Sequence, residues 1–270
     1  MELSVVFKII IFLLGLCVGS FLNVLIDRLP TGENPFKGRS RCDHCKKKLR
    51  PLDLVPVFSF IFLRGRCRYC HKKLSIQYPL VELASGLMFV LLFLYCVQNY
   101  SLLTGEIINV AKFISLLVVL CSFLVIFIAD LKYQIIPDEM LVSTVFGSVF
   151  YILLQSPTTE SINFLLQYFL GIAIAGGFFY AIYLLTKGRG IGFGDVKLAP
   201  VLGLFLGFPL IIVGLYAAFL TGAVVSTILI IGKFKRWGQK IAFGPFLIFG
   251  AVVSFFWGNE ILGWYISLLR

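Results

Sequence analysis

The chain has 270 residues, of which 59% are hydrophobic and 14% charged, against about 25% charged in an ordinary soluble domain. That balance excludes a soluble globular protein and makes lipid the main solvent of the chain. The formal net charge of +11 does not imply a nucleic-acid partner, because residues 27–78 alone hold 13 Lys/Arg against four Asp/Glu, as a cytoplasmic loop facing anionic membrane lipids would.

An apolar helix needs roughly 17–25 residues to cross a hydrocarbon core. In chain order, candidate spans lie near residues 5–26, 79–97, 107–129, 139–155, 162–185, 196–206, 210–231 and 241–257. The predicted fold is an all-α polytopic membrane protein with about eight transmembrane helices and a small cytoplasmic zinc-ribbon-like loop domain. The first run is followed by charged residues and reads as an uncleaved span with its C-terminal end inside. No small residue stands just before Cys17, which argues against lipoprotein-type cleavage.

The sixth run is short, and omitting it would invert every later segment. Positive charge decides in its favour, since Lys and Arg collect on the cytoplasmic side. With eight spans and the N-terminus outside, the inside loops are 27–78, 130–138, 186–195 and 232–240. Counting Lys197 as interfacial, 21 of the 24 basic residues then fall inside, all but Lys8, Lys112 and Arg270. Without the sixth span, Lys233, Lys235, Arg236 and Lys240 would move outside.

The loop at 27–78 carries four of the seven cysteines, as CDHC, 21 residues, then CRYC: Cys42, Cys45, Cys67 and Cys70. Two residues between thiolates let a tight turn aim both sulfurs at one ion, and two such knuckles complete a tetrahedron around structural Zn2+. The neighbouring Lys46, Lys47, Arg66 and Arg68 favour thiolate. A pair of disulfides or redox-active CxxC motifs is the rival reading, disfavoured in reducing cytosol. His44 and His71 are expected in solvent, and Cys17, Cys96 and Cys121, each alone in a span, as small buried hydrophobes.

Acids in or beside spans are costly, about 2.5–3.5 kcal/mol at a helix centre. Glu82, Asp130, Asp138, Glu139 and Asp195 are such acids. Asp130 ends the third span, and Asp195 follows Gly190-Ile-Gly192-Phe-Gly194 and opens the sixth. Both fall at the cytoplasmic interface in the eight-span topology. Converging there, the two could share one proton, with the ionised partner activating water and the protonated one polarising a carbonyl. The glycines leave the backbone open to a substrate strand, and without a preceding strand they make only a weak dinucleotide motif. The alternative is that both aspartates cap helices or pair with Lys132 and Lys197. Asp138, after Pro137, sits where a helix N-cap belongs, and Glu82 is placed to oppose a helix dipole.

Together these segments resemble the type IV prepilin leader peptidases, bifunctional aspartyl peptidases and N-methyltransferases with a GxGD motif. The likeness is carried by GSFLNVLIDRLP at 19–30, the two CxxC pairs, LRGRCRYC at 63–70, YPLVELASG at 78–86, the segment from Asp130 to Ile136-Pro137-Asp138, and GFGDVKLAP at 192–200. The resemblance implies that Asp130 and Asp195 are the catalytic pair. It also implies a prepilin or pseudopilin substrate, cut after a short basic leader at the cytoplasmic face of a bacterial inner membrane, and a new N-terminus methylated with S-adenosylmethionine. Two departures, Asp43 where the family often has proline and Gln77 where it often has arginine, bear on the methyl donor and not on the aspartates. Methyl transfer is expected in residues 1–106 and hydrolysis in 107–270. Nothing in the loop resembles a Rossmann methyltransferase, so Glu82 and Asn23 are named only as polar candidates near the donor. A leader peptidase lacking methyl transfer, a cation transporter using the aspartates and a membrane-anchored zinc-ribbon interaction module are the competing readings. Acids on a transport pathway belong near the midplane, and an interaction module leaves the aspartates unexplained.

Overall fold

The structure, a computed structural model, describes residues 5–42, 44–100, 102, 106–155, 161–232 and 241–268. Asp43, Lys233, Lys235, Arg236, Lys240 and Arg270 lie outside the described residues. The described residues form helices α1 (Val5–Arg28), α2 (Phe58–Phe62), α3 (Gln77–Tyr100), α4 (Ile107–Tyr133), α5 (Asp138–Gln155), α6 (Ser161–Leu185), α7 (Phe193–Leu206), α8 (Leu210–Ile231) and α9 (Gly244–Leu268). Each of the eight apolar runs is a helix, and the chain is an all-α, multi-pass membrane protein.

Among the described residues, six helices are long and apolar enough to cross a bilayer: α1, α3, α4, α6, α8 and α9. The other two are shorter. α5 has 18 residues and opens on Asp138 and Glu139, while α7 has 14 residues, about 21 Å of helix at 1.5 Å per residue. Helices also run past the edges of the apolar runs. α4 continues beyond Asp130 to Tyr133, and α9 continues beyond Asn259 and Glu260 to Leu268, because a polar side chain at an interface does not break a backbone ladder.

The chain divides into two compact units, Met1–Val125 and Ile126–Arg270, with α4 passing from one to the other. In the first unit α1 and α3 pack antiparallel. A Cβ at Gly15 would stand 2.7 Å from Gly86 Cα, and one at Gly19 would stand 2.7 Å from Glu82 Cα. The Gly15-x-x-x-Gly19 spacing thus lets two backbones approach where no hydrophobic force drives helices together within lipid. The second unit holds two antiparallel pairs made the same way, α6 with α7 through Gly171 and Gly203, and α8 with α9 through Gly214 and Gly250. α5 packs on α7.

Candidate active site and metal centre

In the second unit, Asp130 lies in the last turn of α4 and is 6% exposed. Its Oδ2 accepts the backbone N–H of Gly244 at 3.0 Å, across 114 residues of sequence. Gly244 is the first residue of α9 and Pro245, which has no N–H to leave unsatisfied, is the second. The carboxylate therefore sits on a helix N-terminus, where free amides and the helix dipole favour negative charge. A Cβ on residue 244 would lie 2.6 Å from Asp130 Oδ2, so only glycine leaves this contact intact.

Asp195 is 8% exposed in the first turn of α7, whose N-cap is Gly192. Its side chain turns back to Gly192, whose Cβ position lies 3.4 Å from Asp195 Oδ2. One hydrophobic side chain joins the two sites. Ile136 Cδ1 lies 3.3 Å from the Cβ position of Gly194 and 3.4 Å from that of Gly244. The end of α4, the start of α7 and the start of α9 thus close around Ile136, bringing two carboxyls 65 residues apart in sequence to one buried place.

Lys197 pairs with Asp138 and with neither of these two aspartates. Lys197 Nζ donates to Asp138 Oδ1 and Oδ2 at 2.8 and 3.0 Å, and Lys132 lies over the Tyr133 ring at 4.9 Å. The Lys197–Asp138 pair is well exposed and contributes no more than about 1 kcal/mol. Asp138 is the first residue of α5, one place inside the expected cap: the Pro137 carbonyl accepts the N–H groups of Met140 and Leu141.

In the first unit, one ligand atom from each of Cys42, Cys45, Cys67 and Cys70 lies within 4.8 Å of all the others. The Cys42 and Cys70 sulfurs are 3.9 Å apart, far beyond a disulfide bond of about 2.05 Å. It is close to the roughly 3.8 Å edge of a tetrahedron whose Zn–S bonds are about 2.3 Å. The four cysteines therefore fit structural zinc. Their two knuckles repeat bond for bond. Cys42 N–H donates to the Lys47 carbonyl and Lys46 N–H to the Cys42 carbonyl; Cys67 N–H donates to Lys72 and His71 N–H to Cys67. Lys46 and His71 take matching left-handed conformations, at φ 55° and 56°.

Burial pushes the Cys42 thiol up to about 11, whereas at Cys67 burial is outweighed by the N–H groups of Cys70 and Tyr69, which bring it down to about 7. His44 and His71 are exposed, as expected of bystanders. Lys47 lies over the Tyr69 ring at 5.4 Å. Arg68 Nε donates to the buried Asp53 Oδ1 at 2.7 Å, tying the turn at Pro51–Leu54 to the second knuckle.

Glu82 and Asn23 are both buried where α1 meets α3. Asn23 is engaged within the helices: its Nδ2 donates to the carbonyls of Gly19 (3.3 Å) and Tyr78 (3.1 Å), and its Oδ1 accepts Gln77 Nε2 at 3.4 Å. Glu82 accepts the Ser20 hydroxyl and, at Oε2, the Val57 N–H at 2.7 Å. Val57 has φ 61°, rare for a β-branched residue, and the bond to Glu82 holds it there. Sequence reasoning missed Gly244, whose visible signal is Gly-Pro at the head of an apolar run, and Val57, which carries no local signal. It also missed Arg28, whose guanidinium gathers the carbonyls of Asn34, Pro35 and Lys37.

Comparison with known proteins places the chain in a family. Residues 13–96 match the bacterial peptidase A24 N-terminal domain, and residues 117–227 match the type IV leader peptidase family. A prepilin leader peptidase/N-methyltransferase of Pectobacterium carotovorum is 31% identical, over 88% of this chain and 89% of its own length. The chain belongs to the type IV leader peptidase family. Relatives with the same name in Aeromonas hydrophila and Bacillus subtilis are 29% and 27% identical, covering 96% of this chain and 93% and 98% of their own lengths. No solved structure matches. Within this leader-peptidase chain the four cysteines lie inside the N-terminal match, whereas the two aspartates lie inside the peptidase match.

Metal analysis of the purified protein is expected to find about one zinc per chain. Cys42→Ser or Cys67→Ser should release it and destabilise the loop, and unchanged zinc content in both would contradict the centre.

Proposed function

We propose that this chain removes the basic leader from type IV prepilins or pseudopilins with Asp130 and Asp195, and then N-methylates the new N-terminal residue. The observation that carries the reading is the convergence of two buried carboxyls, each seated at the start of a helix and both walled by Ile136. Such a pair works with one member ionised and one protonated. The ionised carboxylate takes a proton from water as its oxygen attacks the scissile carbonyl carbon, while the protonated one donates to the carbonyl oxygen. Collapse of the tetrahedral intermediate passes a proton to the departing amine. Which aspartate starts protonated belongs to the pair and not to either residue. At Gly192 the Cβ position meets only Asp195 Oδ2, at 3.4 Å, so an extended substrate can approach that carboxyl closely.

The positive-inside pattern supports an outside N-terminus, with both sites on the cytoplasmic side of a bacterial inner membrane. Residues 1–106 are assigned the methyl-transfer part and 107–270 the peptidase part. S-adenosylmethionine supplies a methyl group on a cationic sulfonium. Glu82 is a buried acid where α1 meets α3, and its carboxylate suits a cationic donor or the amine that receives the methyl. Asn23, held by both helices, positions the wall from which Glu82 projects.

Asp130→Asn and Asp195→Asn are each expected to lower cleavage of a synthetic prepilin by roughly 10²–10⁴-fold or more, with zinc content and thermal unfolding unchanged. Wild-type cleavage in either variant would contradict the assignment. Glu82→Gln keeps an oxygen for the Val57 N–H and removes the charge. It is expected to cut transfer of label from S-adenosylmethionine by about tenfold or more, equivalent to some 1.4 kcal/mol, while cleavage persists. Equal loss of both activities would refute a specific role in methyl transfer.

A further inference from the structure

The zinc loop leaves one apolar face that nothing in the described chain covers. Leu52, Leu54 and Val55 precede it, and α2 presents Phe58 at 50%, Ile61 at 64% and Phe62 at 83% exposure. The spacing of the last three residues places them on one side of a helical turn. Phe60 turns the other way: its ring end lies 3.0 Å from the Cβ position of Gly65, in the turn that leads into the second knuckle. The short helix is thus sided, with one face toward the loop and one face free. An apolar patch of this kind marks an interaction surface.

Its height relative to the bilayer follows from a single bond. Val57, immediately before α2, donates its N–H to Glu82 at 2.7 Å. Glu82 is the sixth residue of α3, about 7.5 Å along a candidate membrane span from its start, and a helical side chain leans back toward the N-terminus. The start of α2 is therefore held beside the first turns of a span, not out in the aqueous part of the loop. Arg50, Arg64, Arg66 and Arg68 flank it and are exposed, within a loop of 13 Lys/Arg and four Asp/Glu. Apolar side chains on one face, bordered by arginines, at the level of a span's end, are the arrangement that enters the headgroup and upper acyl region of an anionic leaflet.

We infer that the segment from Leu52 to Phe62 is an interfacial anchor that inserts Phe58, Ile61 and Phe62 into the anionic lipid surface beside α3. The strained Val57 and its bond to Glu82 fix the depth, and the zinc knuckles hold the segment's far end. The loop then lies against the membrane beside Glu82 and does not swing free in water.

The full chain carrying Phe62→Trp, reconstituted in nanodiscs of phosphatidylcholine and phosphatidylglycerol, tests this. The expected result is loss of most of the added emission, relative to wild type, when the lipids are brominated near the top of the acyl chain. Lys73→Trp, on the exposed second knuckle, should instead be quenched by aqueous iodide. Ile61→Trp gives a second reading on the same face, and zinc content reports that the loop is folded in each variant. Iodide quenching of Phe62→Trp and Ile61→Trp, with no effect of brominated lipid, would overturn the anchor. An emission change only when a synthetic prepilin is added would assign the face to substrate and equally overturn it.

Discussion

A carboxylate buried among membrane helices is largely cut off from bulk water, and its burial is tolerated only if the protein supplies fixed dipoles in its place. That constraint organises the second unit. Asp130 receives the Gly244 amide at the head of α9, and Asp195 turns to the backbone of its own helix N-cap. Helix starts are the cheapest source of unpaired N–H groups in an all-α protein. The same placement leaves both carboxyls in a low-dielectric setting, where neighbouring charges are felt more than in water.

The first unit meets a different physical problem, that of shaping a small loop with little core of its own. Four sulfurs solve part of it through two knuckles with one hydrogen-bond pattern. The rest is done by charged side chains that bond to the backbone or to each other, Arg28 to three carbonyls and Arg68 to Asp53. Glu82 links the loop to the helix pair, and the Gly15 and Gly19 contacts allow α1 and α3 to come close enough to bury it.

Much of this was legible in the sequence for physical reasons. Apolar runs report spans because lipid forbids unpaired backbone, and CxxC pairs report a metal because thiolate spacing is dictated by a tetrahedron. Helix ends were less legible. Asp130 and Asp195 lie inside helices, one within a last turn and one within a first, because helical hydrogen bonding continues where hydropathy stops. Gly244 and Val57 were illegible for another reason: their roles depend on partners 114 and 25 residues away, and nothing in the local pattern announces such contacts. α5 and α7 were visible as apolar runs, but their shortness takes meaning only from the site they frame.

Catalysis by this pair requires the side chains at positions 130 and 195 to share one buried site. The most direct measurement is crosslinking in membranes of a chain carrying Asp130→Cys and Asp195→Cys, with Cys17, Cys96 and Cys121 replaced by serine. A short bis-thiosulfonate is expected to join the two positions within one chain, detectable as a linked peptide after digestion. Two cysteines that each react singly with the reagent, yet never form the linked peptide, would contradict it.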